Sequence, residues 1–104
     1  MPSRWIELCP VNQIPRGTGK YVVVEEHGYA VFLHDGQVRV MDDNCPHAGA
    51  SLSGGLLDAG GIVTCPMHDW YFDTCSGQCT DNPRIAVKSY PARLARGWVQ
   101  IQKD

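Results

Sequence analysis

Cys45-Pro46-His47-Ala48-Gly49-Ala50-Ser51-Leu52 and, twenty residues on, Cys65-Pro66-Met67-His68-Asp69-Trp70-Tyr71-Phe72-Asp73 are the stretches around which this chain is organised. Each sets a thiol and an imidazole within three residues of one another, with a proline directly after the cysteine. Two thiols and two imidazoles on two similar loops make a four-ligand metal site from Cys45, His47, Cys65 and His68. A single zinc ion accepts such a set, but zinc fingers pair Cys with Cys and His with His on separate elements. Mixed pairs suit a binuclear cluster instead, one cysteine from each loop serving one iron and one histidine from each loop the other. The two prolines stiffen the loops and remove an amide that would need a partner.

Outward from the loops the chain reads as short strands punctuated by 11 glycines and 7 prolines. No stretch carries a 3.6-residue apolar period of convincing length. Trp5-Ile6-Glu7-Leu8-Cys9 alternates as a first strand, which buries the Cys9 thiol, and residues 10–19 form a loop. Residues 20–26, with Tyr21-Val22-Val23-Val24, read as a second strand. His27-Gly28 is expected to turn it into a third over 29–34, and Asp35-Gly36 is a two-residue hairpin signal leading to the alternating Gln37-Val38-Arg39-Val40. Residues 42–80 break the rhythm. They are read as an insertion that carries both loops, stabilised by the metal site instead of by a core of its own. Within it a short strand over 61–64 leads into the second loop, and Tyr71-Phe72-Asp73 and Gln78-Cys79-Thr80 flank a hairpin turning at Ser76-Gly77. Residues 85–94 and 98–102 are the closing strands, joined at Ala95-Arg96-Gly97.

At 104 residues the chain is one domain, 1–104, with a core modest enough for a metal cross-link to matter. Nine basic and 11 acidic residues leave a net charge of −2, which gives no reason to expect nucleic acid or an anionic membrane as partner. The longest apolar run, Tyr29-Ala30-Val31-Phe32-Leu33, is far short of the roughly 20 residues of a membrane helix. Met1-Pro2-Ser3-Arg4-Trp5 has no secretory pattern, so a cytoplasmic location is expected. Five cysteines in such a setting argue for metal or redox chemistry over a disulfide framework. There is no dinucleotide fingerprint, phosphate loop or 2-His-1-carboxylate iron site. The chain is therefore expected not to turn over a substrate alone. A monomer is expected.

The two quoted stretches resemble the two boxes of Rieske-type ferredoxins. The flanking strands, the Asp35-Gly36 hairpin and the spacing from Phe72-Asp73 to Gly77 are similar to the same family over nearly the whole chain. The N-terminal third and Gly49-Ala50-Ser51-Leu52-Ser53-Gly54-Gly55 are most similar to the small-subunit-like branch associated with nitrite reductase. The resemblance implies an all-β fold, an antiparallel β-sandwich or barrel base with a small cluster-binding subdomain over about 42–80. It implies one [2Fe-2S] cluster, with Cys45 and Cys65 on the buried iron and His47 and His68 on the outer one. It also implies a one-electron carrier between a reductase donor and a terminal oxidoreductase acceptor. The setting is a nitrite reductase as its small subunit, a ring-hydroxylating dioxygenase as its ferredoxin component, or another redox pathway. The rival from a different class is a structural zinc interaction module.

Several residues bear on tuning. Respiratory members of the resembled family place Ser and Tyr hydroxyls where Trp70 and Phe72 stand here, and a disulfide where Ala50 and Met67 stand. Hydroxyls on cluster sulfur stabilise the reduced form, so their loss predicts a low-potential centre, near the −150 mV end of the family range. Asp69 stands where the family commonly has Gly; it tolerates the same backbone, and its carboxylate favours a protonated neighbouring imidazole. At least one of Trp70, Tyr71 and Phe72 is expected in the core. Cys75 and Cys79 bracket Ser76-Gly77-Gln78 and are expected to face each other, as free thiols. His27 and His34 are expected at the surface.

Overall fold

The computed structural model describes residues 4–44, 51–66, 70–82 and 84–103. Its layering follows from Tyr29-Ala30-Val31-Phe32. Successive side chains on a strand point to opposite faces, so a continuous apolar run must be covered on both. These residues lie in β3 (His27–His34). Tyr29 and Val31 enter one buried cluster, Ala30 and Phe32 another, and each is at most 1% exposed.

β3 pairs with β2 (Lys20–Val24) on one side and β4 (Gln37–Asp42) on the other, and β4 pairs with β8 (Ser89–Tyr90). A second antiparallel sheet has the order β1-β10-β9, from β1 (Arg4–Pro10), β10 (Trp98–Lys103) and β9 (Ala92–Ala95). It closes the first cluster, with Leu8, Cys9, Val99 and Ile101 packing against Tyr29, Val31, Val38 and Val40. The third sheet, β5 (Leu56–Leu57), β6 (Ile62–Thr64) and β7 (Tyr71–Asp73), covers the opposite face of β3 and β4. The all-β, antiparallel expectation holds. Among the described residues no helix is long and apolar enough to cross a membrane.

Five local expectations change. The β2–β3 turn is Glu25-Glu26, both at positive φ (53° and 67°), with Val24 opposite His27. Gly28 lies inside the strand because the Tyr21 ring covers it: a Cβ there would come within 2.8 Å of that ring, which is a close approach and not a turn. Asp35-Gly36 does turn as expected, at φ 50° and 76°. In β1 the register slips between Glu7 and Cys9, so a bulge buries both Leu8 and Cys9 where strict alternation would bury one. The closing strand expected over 85–94 is divided at Pro91. Ser89-Tyr90 pairs with β4, Ala92–Ala95 pairs with β10, and 85–87 lies outside the sheets.

The other two changes concern burial. The segment read as lacking a core contributes Leu52, Val63, Cys65, Phe72 and Cys79 to the second cluster, where they meet Ala30, Phe32 and Met41. His34 is not a surface residue, its side chain being 15% exposed. Its Nε2–H donates to the Ala59 carbonyl at 2.8 Å and its ring lies against Gly61, tying the β5–β6 turn to the end of β3. That turn is shaped by Asp58, whose Oδ1 accepts from the amides of Gly60 (2.8 Å) and Ile62 (3.0 Å). His27 is half-exposed as a surface residue would be, and donates from Nε2 to Asp42 Oδ1 at 2.6 Å.

Candidate metal centre

Of the four sequence-derived ligands, Cys65 lies among the described residues; Cys45, His47 and His68 lie outside them, as do Pro46, Ala50, Met67 and Asp69. Cys65 follows directly on β6 and is completely buried within the second cluster. Its amide donates to the Trp70 carbonyl at 2.7 Å. Trp70 packs against the same cluster, Phe72 is buried in it, and Tyr71 between them is 42% exposed. That alternation is the period of β7 and satisfies the expectation that part of this aromatic stretch is core.

The first loop has a matching stem. Asn44 and Ser51 form an antiparallel bridge, and the Leu52 amide donates to the Asp43 carbonyl at 2.8 Å. The Asp43 carboxylate accepts from the Ser51 hydroxyl (2.6 Å) and the Ser53 amide (2.9 Å). Residues 53–57 are gripped from outside as well. Thr18 Oγ1 lies 2.9 Å from the Ser53 carbonyl and 2.7 Å from that of Gly55, and the Gly19 amide donates to Ser53 O at 2.9 Å. Leu52 and Cys65 share the second cluster, so the two stems are anchored in one core.

The residues present fit an iron–sulfur group. A fully buried thiol is a sulfur donor shielded from water, and the sequence offers the second thiol and both imidazoles from two similar motifs. The remaining cysteines do not compete. Cys9 and Cys79 are buried in different clusters and Cys75 is exposed, all as free thiols. Cys79 turns inward opposite Phe72 while Cys75 turns out, so the two do not face each other. Sequence reasoning missed Asp43, Ser51, Ser53 and Thr18. The available signal was an acid two residues before the first loop's cysteine and a Ser-x-Ser just after the loop.

An antiparallel β scaffold with paired loop stems, one headed by a buried cysteine, defines a metal-loop β protein. Residues 4–91 match the Rieske [2Fe-2S] domain family, and the chain belongs to it. Its cofactor is one [2Fe-2S] cluster and its function class is one-electron transfer. The naphthalene 1,2-dioxygenase system ferredoxin component of Pseudomonas aeruginosa is 32% identical over 97% of both chains. The ferredoxin of Sphingomonas yanoikuyae B1 is 35% identical over 97% of this chain and 100% of its own, with a TM-score of 0.87. A protein described as an NADH-dependent nitrite reductase small subunit, from Mycobacterium tuberculosis, is 27% identical over 100% of this chain and 98% of its own, with a TM-score of 0.89. The chain spans only 23% of another relative, cholesterol 7-desaturase nvd of Hemicentrotus pulcherrimus, at 33% identity over 99% of this chain.

Proposed function

We propose that this chain is the ferredoxin component of an oxygenase system, taking single electrons from a reductase and handing them to a terminal oxygenase. Cys45 and Cys65 hold one iron, and His47 and His68 hold the other. The observation that carries this reading is the match in length: 97% of this chain aligns with 97% of a dioxygenase ferredoxin component. When bound, the cluster takes up and releases one electron. The chain's own residues bind and shield it. Buried Cys65 holds its sulfur away from water, Phe72 and Trp70 pack in the same cluster as Cys65, and Tyr71 between them is exposed. Residues of about 42–80 act as the cluster-binding subdomain of a cytoplasmic monomer.

The nitrite reductase small subunit is the second reading, favoured by the Mycobacterium tuberculosis match over the whole chain. Reconstitution separates the two. The reduced protein is mixed with a naphthalene dioxygenase oxygenase and its reductase, and separately with a nitrite reductase large subunit. Oxygenase turnover that depends on added protein supports the first reading, and stimulation of nitrite reduction alone overturns it.

A further inference from the structure

We propose that Asp43 is the positioning residue of the first ligand loop, holding the far side of the loop's stem so that Cys45 and His47 are presented in one geometry. This rests on the ligand set proposed above. Asp43 is only 7% exposed, and a buried carboxylate is costly unless its oxygens are bonded. Both are: Oδ2 to Ser51 Oγ and Oδ1 to the Ser53 amide. Its backbone is committed too, the carbonyl to Leu52 N and the amide to Gly28 O at 3.2 Å. The single proton of Ser51 goes to Asp43, so in the 2.9 Å contact between the two hydroxyls Ser53 is the donor. One acceptor-only side chain thus holds two donors and, through Ser51, orients the Ser53 hydroxyl.

Position makes this matter. Asn44 and Ser51 are seven residues apart, and their bridge closes the loop that carries two ligands. Asp43 and Asn44 lead directly into Cys45, so a shift of the stem is passed along the chain to the first ligand. Iron–ligand distances tolerate changes of only about 0.2 Å. A carboxylate suits the place because both its oxygens accept. An amide would turn an N–H₂ toward one donor and lose the charge-assisted bond.

The test uses the holoprotein with Asp43→Asn, Asp43→Ala and Ser51→Ala. Val38→Ala, in the other cluster, serves as a control for plain destabilisation. The readouts are the line shape of the reduced protein's electron paramagnetic resonance signal, the rate of iron release to excess chelator, and thermal stability. We expect Asp43→Ala and Ser51→Ala to release iron about tenfold faster and to shift the signal, with Asp43→Asn between them and wild type. Val38→Ala should lose thermal stability and keep the wild-type signal. Wild-type signal and release rate in all the stem variants would overturn the inference, whatever their thermal stability. If Asp43→Ala does not fold, Asp43→Asn and Ser51→Ala decide by the same criterion. A wild-type protein without iron and sulfide would overturn the ligand set itself, and the inference with it.

Discussion

Gly54 and Gly55 are neighbours with opposite surroundings. A Cβ at Gly54 meets nothing within 4 Å, whereas one at Gly55 overlaps the Thr64 carbonyl, where β5 begins against β6. Gly55→Ala should therefore cost on the order of 2–3 kcal/mol, because backbone cannot yield as a side chain does. Gly54→Ala should lie within about 0.5 kcal/mol of wild type. Urea denaturation of the pair checks this, and equal midpoints would contradict it. Nothing in the sequence separates two adjacent glycines, since what differs is a strand that arrives later in the chain. Asp43 was hidden for a related reason: its partners lie eight and ten residues away, across the loop. Cys65, by contrast, is marked as a candidate ligand by its neighbours Pro66 and His68 alone.

At the scale of elements, β2, β3 and β4 were legible because β-branched runs, an Asp-Gly turn and period-2 alternation agree. The Glu25-Glu26 turn was not, since neither residue favours positive φ and Gly28 drew the reading two residues too far. The strand ends are joined by side chains that no pattern announces. Asp42 Oδ1 accepts from His27 on β3 and, at 2.7 Å, from the Tyr90 hydroxyl on β8. Burial first, and then the bond to Asp42, push the Tyr90 phenol up; burial pushes the Cys9 thiol up, against the weaker opposing pull of Lys20. Both groups hold their protons more tightly when folded. Their contribution is complete below their ordinary values of 9.0 and 10.0 and is lost as pH rises toward the raised folded values. Stability should accordingly fall above about pH 9. Tyr90→Phe should cost about 1 kcal/mol near neutrality and make the loss above about pH 10 shallower. Urea midpoints across that range decide, and an unchanged alkaline slope would contradict the role given to Tyr90.

For the molecule as a whole, the middle sheet is shared. One face of β3 and β4 packs against the β1-β10-β9 sheet, and the other packs under the sheet that carries the second ligand loop. From the sequence the loop segment reads as resting on metal alone, because its apolar residues, Leu52, Val63 and Phe72, are scattered and too few to form a core by themselves. They become one only against Ala30, Phe32 and Met41. The same packing bears on potential. Phe72 is fully buried and Trp70 half-buried, and neither offers a hydroxyl to sulfur. A redox titration should give a midpoint near the low end of the family range, about −150 mV, and a value above about +100 mV would contradict that account. The central claim, that two Cys-x-His-type loops hold a two-iron cluster, is tested most directly by metal and acid-labile sulfide analysis of the purified protein. The account predicts about two irons and two sulfides per chain, and one zinc with no sulfide would contradict it.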